Sequence, residues 1–319
     1  MPRLIPVKMI PSSLWSKDIL RLPPQLISCW EMLLDKYQLR AKAMTKAPKG
    51  DVEGGITEEE TNNHLAWRFT GSSARVMLTM LDPRQELPLI SDAFARTFSG
   101  NKVFLADLPC GSGAASISIL SVLCELRKQG KVPRMPLHII IVGGEISPYA
   151  QNHAKEALGL ITNELESQAI TVEFDIIDWD VCEESSNADL IRQLTLKSHK
   201  CLAKLLIVSN FSGFLQRQGK WDEAKKQFDQ IFQYTQGDNS IAIWIEPKKN
   251  NVIKEGQFFS HLIKWFIKLV SKIIGKDEEI ERLSYACSSV KVEFPLCKDE
   301  SFWTNLAVIR FDLPLRSKV

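Results

Sequence analysis

The sequence lacks several features that mark specialised classes of protein. Its seven cysteines include no C-x-x-C pair and its five histidines no H-x-x-x-H pair, so neither a disulfide framework nor a metal site is predicted. No repeat of fixed period occurs. The 40 basic residues nearly balance 38 acidic ones, for a formal charge of +2. This balance argues against a protein whose entire surface binds nucleic acid.

A long apolar run is also missing near the N-terminus. Residues 1–13 contain three prolines and no stretch suited to a signal peptide or a membrane span. We therefore expect a cytoplasmic protein without a transmembrane segment, with its thiols reduced. With 319 residues, 45% of them hydrophobic, the chain is long enough to bury a sizeable core.

Two parts of the chain differ in pattern. Residues 1–100 show helical periodicity and predict a helical N-terminal cap, with a polar linker near 46–63. Within residues 101–319, short apolar runs alternate with amphipathic segments, which is typical of βαβ units and a parallel sheet. The predicted strands are 103–107, 137–143, 171–177, 203–209 and 240–245, with helices at 114–128, 148–166, 184–198 and 221–235, and an antiparallel hairpin at 288–295 and 303–312.

A glycine-containing loop follows the first predicted strand. It runs from Asp107 through Pro109 and Cys110 to Gly111 and Gly113, directly before a helix that begins with small residues. Glycines at such a junction permit a sharp turn and let a ligand lie against the backbone near a helix N-terminus. The loop predicts a site for a nucleotide-like cofactor, and a tight turn without a ligand is the alternative.

Acidic and aromatic residues follow the next two predicted strands. Glu145 ends the second strand, where a carboxylate can accept hydrogen bonds from ribose hydroxyls. Asp178 and Trp179 end the third, offering a carboxylate for an exocyclic amine and an aromatic face for an adenine ring. The alternatives are a solvated acid for Glu145 and a core or rim aromatic for Trp179.

Over about residues 100–315, these features resemble the class I, Rossmann-like S-adenosylmethionine-dependent methyltransferases. The resemblance implies a seven-stranded sheet closed by a C-terminal antiparallel hairpin, with S-adenosylmethionine as the cofactor. It implies that the loop at 107–113 shapes the pocket for the methionine part, that Glu145 binds the ribose, and that Asp178 and Trp179 bind the adenine. Pro109 stands where many members of the family have their first glycine.

The segment before the core contains two arginines, Arg68 and Arg75. In several methyltransferase families, an aromatic residue and an arginine in the preceding helix close over the methionine carboxylate. By that resemblance, both arginines are candidates for this contact, and surface arginines are the alternative. This segment and the Glu246-Pro247 pair also resemble ribosomal small-subunit methyltransferase-like proteins, although the cysteine cluster of that family is absent.

The ends of the fourth and fifth strands supply the catalytic candidates. Ser209, Asn210 and Phe211 stand where amino-methylating members have an Asn/Asp-Pro-Pro-Tyr motif, but both prolines are missing. Asn210 would orient the acceptor and Phe211 would stack on it, with Ser209 next to the cofactor. Alternatively, Asn210 caps the next turn. Glu246 is a candidate base, with a solvated loop acid as the alternative.

Residues 257–274 form an apolar segment in which Lys264, Lys268 and Lys272 recur every fourth residue. This spacing predicts a helix packed on the sheet with its lysines in water. The alternatives are that this helix binds a protein partner, a membrane surface or an RNA backbone.

Taken together, the residues predict a methyltransferase whose acceptor is a small molecule, a protein or RNA. Two other hypotheses stay open. One is an inactive scaffold with the same fold. The other is an NAD-binding oxidoreductase, because the run from Gly111 to Ser116 is close to the dinucleotide fingerprint, although no Tyr-x-x-x-Lys pair is present.

Overall fold

The fold is taken from a computed structural model that describes residues 3–48, 54–248, 263–268 and 283–314. Most of these residues belong to one nine-stranded sheet and the helices on its two faces. The strands are β1 (Trp15–Ser16), β2 (Ile19–Leu20), β3 (Lys102–Asp107), β4 (Leu137–Glu145), β5 (Ile170–Asp178), β6 (Ala203–Ser209), β7 (Ser240–Pro247), β8 (Leu283–Phe294) and β9 (Cys297–Asp312).

The strand order is β1-β2-β8-β9-β7-β6-β3-β4-β5. Strands β3 to β7 are parallel, and β9 reverses direction between β7 and β8. The predicted parallel sheet with a C-terminal antiparallel hairpin is thus confirmed. Because β3 lies between β4 and β6, the chain changes direction of winding there, and a crevice opens at the carboxyl ends of the strands.

The expected count of seven strands is wrong by two. Strands β1 and β2 form a short hairpin at the edge, and β2 continues the sheet by pairing in parallel with β8 at Lys291 and Val292. Consequently, residues 1–100 are not helical throughout. Two-residue strands are too short to show an alternating pattern, so their place in the sheet depends on the distant β8.

Helices agree closely with the predicted segments in the second part of the chain. They are α1 (Pro24–Lys36), α2 (Arg40–Ala43), α3 (Glu58–Trp67), α4 (Phe69–Leu81), α5 (Pro88–Thr97), α6 (Ala114–Lys128), α7 (Pro148–Ser167), α8 (Glu184–Ser198), α9 (Ser212–Arg217) and α10 (Trp221–Tyr234). Helix α3 begins after a capping box between Thr57 and Glu60. Residues 58–63 of the expected linker therefore form the first turns of α3.

Alternate residues of the parallel strands enter two separate cores. In β4, Ile139 and Ile141 face one core, whereas Ile140 and Val142 face the other. Burial on both faces explains why this strand is a continuous apolar run. The first core also contains Trp30 from the N-terminal part, whose Nε1 donates to the Leu65 carbonyl at 3.0 Å. The N-terminal part and the sheet share this core.

The segment at 257–274 lies mostly outside the described residues. Its described part, 263–268, is helical. Trp265 and Phe266 are buried in the second core, while Lys264 and Lys268 are exposed. This part therefore packs as predicted, and binding to a partner, a membrane surface or RNA stays a prediction. No helix within the described ranges is long and apolar enough to cross a membrane.

Candidate functional site

A cavity lies at the carboxyl ends of β3, β4, β5 and β6, beneath α3 and α4. Most of the residues predicted to bind a cofactor or an acceptor line it. They are Pro109, Cys110, Gly111, Glu145, Trp179, Ser209, Asn210 and Phe211. The remaining candidates, which are Asp107, Gly113, Asp178, Arg68, Arg75 and Glu246, do not line this cavity.

The loop after β3 presents its backbone to the cavity at Gly111. Gly111 has φ of 52°, and a Cβ atom built there would meet nothing within 4 Å. Gly113 has φ of 83°, but its added Cβ would lie 3.3 Å from the Ala154 Cα of α7. Both positions favour glycine because of the left-handed backbone. Of the two, Gly111 is open to the cavity, whereas Gly113 permits close packing of the loop on α7.

Asp107 fixes the start of α6 from beneath the loop. It is fully buried, and its Oδ2 accepts hydrogen bonds from the Ser116 backbone N–H at 3.1 Å and the Ser116 hydroxyl at 2.7 Å. Its Oδ1 has no partner among the described residues. Burial raises the pKa of this carboxyl to about 7. Asp107 thus supports the loop without facing the cavity.

Glu145 connects β4 with the loop. Its Oε2 accepts from the Gly111 N–H at 3.0 Å, and its Oε1 accepts from the Ser147 N–H at 2.9 Å. Burial raises the pKa of the carboxyl above its usual value. Each carboxylate oxygen can accept a second hydrogen bond, so Glu145 can bind ligand hydroxyls while it orients the loop.

Trp179 is buried in the wall of the cavity, close to Gly144. An added Cβ at Gly144 would come within 2.8 Å of the Trp179 ring, so glycine is required for this contact. The buried Trp179 Nε1 has no hydrogen-bond partner among the described residues. Asp178 is exposed, whereas Asp180, two residues further on, lines the cavity. The strand end therefore offers Asp180 where the sequence analysis favoured Asp178.

Asn210 has a left-handed backbone conformation, with φ of 58°, which asparagine tolerates better than most residues. Its N–H donates to the Ile245 carbonyl at 2.8 Å, and its Oδ1 accepts from Arg75 Nε at 2.7 Å. The N-cap of α9 is Phe211, without a side-chain cap. The alternative that Asn210 caps this turn is therefore wrong.

Glu246 is buried behind the cavity, where it accepts hydrogen bonds at the start of α9. Its Oε1 accepts from the Phe211 N–H at 3.2 Å, the Ser212 N–H at 2.9 Å and Trp244 Nε1 at 2.6 Å. Burial raises the pKa of the carboxyl. The alternative of a solvated acid is wrong, and these contacts favour a structural role over that of a base.

The two arginine candidates lie in different surroundings. Arg75 contacts Asn210 and not the cavity, and burial lowers the pKa of its guanidinium to about 10. Arg68 is half-buried at the start of α4 and does not line the cavity either. Contact of either arginine with the methionine carboxylate stays a prediction.

Several cavity residues were not singled out by the sequence analysis. They come from α3, α4 and the start of α10, and include His64, Phe69, Ser72 and Lys220. Burial, with the nearby Arg68 and Arg75, lowers the pKa of His64 to about 4. A lone histidine on a polar helix has no local pattern that marks it as a site residue. Its place in the cavity results from the packing of α3 against α4 and α7.

The sheet order and the cavity at its switch point define a Rossmann-like α/β protein with a reversed C-terminal hairpin. No protein-family model and no curated protein matches the chain. Among solved structures, it is similar to a precorrin-6y C5,15-methyltransferase from Geobacter metallireducens, with 12% identity, a TM-score of 0.36, and coverage of 72% of this chain and 89% of that one. It is also similar to a TehB-like SAM-dependent methyltransferase from Corynebacterium glutamicum, with 13% identity, a TM-score of 0.33, and coverage of 69% and 87%.

Proposed function

We propose that this protein is an S-adenosylmethionine-dependent methyltransferase. The main support is the edge of the cavity at β3 and β4, where the bare backbone of Gly111 lies beside the carboxylate of Glu145. The position is the switch point of the sheet, where ligands of open α/β proteins bind. The resemblance in sequence over about residues 100–315 agrees with this cofactor.

The described residues fit such a cofactor along the strand ends. Gly111 would face the methionine part, and Glu145 has free lone pairs for both ribose hydroxyls. Trp179, which lines the cavity, would contact the adenine. Asp180, which lines the cavity, would take the role expected of Asp178.

Bound S-adenosylmethionine supplies an electrophilic methyl group on a sulfonium, so the protein mainly has to align the acceptor and exclude water. Phe69 and Phe211 line the cavity and would exclude water from the acceptor end. Asn210 would orient the acceptor through its amide. The acceptor is a small molecule, a protein or RNA. The contacts of the described residues do not favour the inactive scaffold over the enzyme.

The first experiment is calorimetric titration with S-adenosylmethionine, S-adenosylhomocysteine and, as a control, NAD. We expect micromolar binding of the first two and none of NAD. Gly111→Arg should abolish binding because its side chain fills the space next to the loop backbone. Gly130→Arg is the matched control, since Gly130 is exposed, has φ of 62° and has no atom within 4 Å of an added Cβ. Failure of the wild-type protein to bind either sulfur ligand, or equal binding by both variants, would contradict the proposal.

A further inference from the structure

The hydrogen bond between Arg75 and Asn210 fixes which end of the Asn210 amide faces the cavity. A guanidinium has donors and no acceptor, so the atom that lies 2.7 Å from Arg75 Nε must be the carbonyl oxygen Oδ1. The two N–H groups of Nδ2 make no hydrogen bond to any described residue. Since Asn210 lines the cavity, it presents donors there.

This orientation favours an acceptor that presents a lone pair to Asn210 over an amine that presents an N–H. An amine that is to be methylated donates its N–H to an oxygen and keeps its lone pair for the methyl group. In this cavity, one lone pair of the Asn210 oxygen is bonded to Arg75, and the Nδ2 group, which has no partner among the described residues, can donate to a ligand atom with a lone pair. Arg75 behind Asn210 carries a positive charge that the buried Glu246 partly offsets, and the cationic Lys220 lines the same cavity.

The surroundings of Asn210 are aromatic. The rings of Phe211 and Phe214 are stacked at a centroid distance of 5.9 Å with an interplanar angle of 14°, and both residues line the cavity. Phe69 lines it from α4. Flat apolar walls favour a planar ligand.

We infer that the methyl acceptor is a carboxylate attached to a planar apolar ring. This inference rests on the proposed function and specifies its substrate class. One carboxylate oxygen accepts from Asn210 Nδ2, and the other attacks the methyl carbon. An oxygen–carbon bond forms as the carbon–sulfur bond breaks. The electron pair of the broken carbon–sulfur bond stays on sulfur. The products are a methyl ester and a neutral thioether, and no proton has to be removed.

The test uses benzoate and benzylamine as probes, in the presence of saturating S-adenosylhomocysteine, with affinities from ligand-observed NMR. We expect benzoate to bind the wild-type protein at least fivefold more tightly than benzylamine. Asn210→Asp replaces the donor by an acceptor in a residue of the same shape, and benzoate affinity should fall at least fivefold. Arg75→Met removes the donor that holds the Asn210 oxygen, so the amide can rotate by 180°. The ratio of benzoate affinity to benzylamine affinity should then fall towards one.

Arg192→Met is the control, because Arg192 is exposed on α8 and its replacement removes the same charge far from the cavity. The preference for benzoate should not change in this variant. Wild-type protein that prefers benzylamine, binds both probes equally or binds neither overturns the inference, as does an unchanged preference in Arg75→Met. A failure of S-adenosylhomocysteine to bind is measured beforehand by calorimetry and counts against the proposed function instead.

Discussion

At the residue scale, the most unusual side chain is Asp107. It is fully buried beneath the loop, and its Oδ2 accepts from both the N–H and the hydroxyl of Ser116. Its Oδ1 has no partner among the described residues. Removal of a carboxylate from water disfavours its charged form, which is why its pKa rises to about 7.

This shift predicts a pH dependence of stability. Between pH 4 and pH 7 the folded protein keeps a proton on Asp107 that the unfolded chain releases, so the contribution of Asp107 to stability is complete below pH 4 and is lost as the pH rises towards 7. The Asp107→Asn variant has no titratable group at this position. The free energy of unfolding of the wild-type protein minus that of the variant should fall by about 2–3 kcal/mol from pH 5 to pH 7.

Urea denaturation of both proteins at the two pH values measures this difference. The raised pKa of Glu246 acts in both proteins and cancels, whereas the charge of Glu145 is itself one of the causes that raise the pKa of Asp107. A difference that stays constant between pH 5 and pH 7 would show that Asp107 does not titrate in this range.

At the scale of single elements, α9 depends on a side chain from a different strand. Its first N–H groups would be unsatisfied, because the N-cap Phe211 offers no side-chain acceptor. Glu246 at the end of β7 accepts from two of them and from Trp244. The same helix contributes Phe214 to the cavity, so Glu246 positions part of the site without lining it.

We expect Glu246→Ala to lower the free energy of unfolding by about 3 kcal/mol at pH 7, since three buried donors lose their acceptor. Glu246→Gln keeps an acceptor oxygen in the same place and should cost about 1 kcal/mol. Chemical denaturation of the two variants beside the wild-type protein measures both values. Equal losses in Ala and Gln would mean that the hydrogen bonds to Oε1 do not stabilise α9.

At the scale of the whole molecule, the N-terminal part covers one face of the sheet. Leu20, Trp30 and Met77 are buried in the same core as Ile117 and Ile139. In addition, β2 pairs with β8, which joins the two ends of the chain. The predicted boundary near residue 100 therefore separates two sequence patterns that share a hydrophobic core.

A fragment of residues 101–319 should consequently fail to fold cooperatively. Without the N-terminal part, the apolar faces of α6 and α7 are exposed to water. The free energy lost with this burial exceeds the usual free energy of unfolding of a domain. Circular dichroism during urea denaturation, compared with the full chain, measures this. A single sharp transition in the fragment would establish residues 101–319 as an independent domain.

The sequence alone determined the parallel strands and most of their helices, because strands buried on both faces are continuous apolar runs and the helices between them are amphipathic. It also indicated Gly111, Glu145 and Trp179, since strand ends in a parallel sheet meet at one edge. These are local patterns, and each can be recognised within a few residues.

Only the tertiary structure decided the remaining features, since they depend on residues far apart in the chain. Asn210 and Arg75 are 135 residues apart, and no pattern near either one indicates how the amide is oriented. The sequence leaves Glu246 as either a candidate base or a solvated loop acid, and only the packing of β7 against the start of α9 buries it. His64 lines the cavity because α3 packs against α4 and α7. Pairing and burial between distant segments are products of the whole fold.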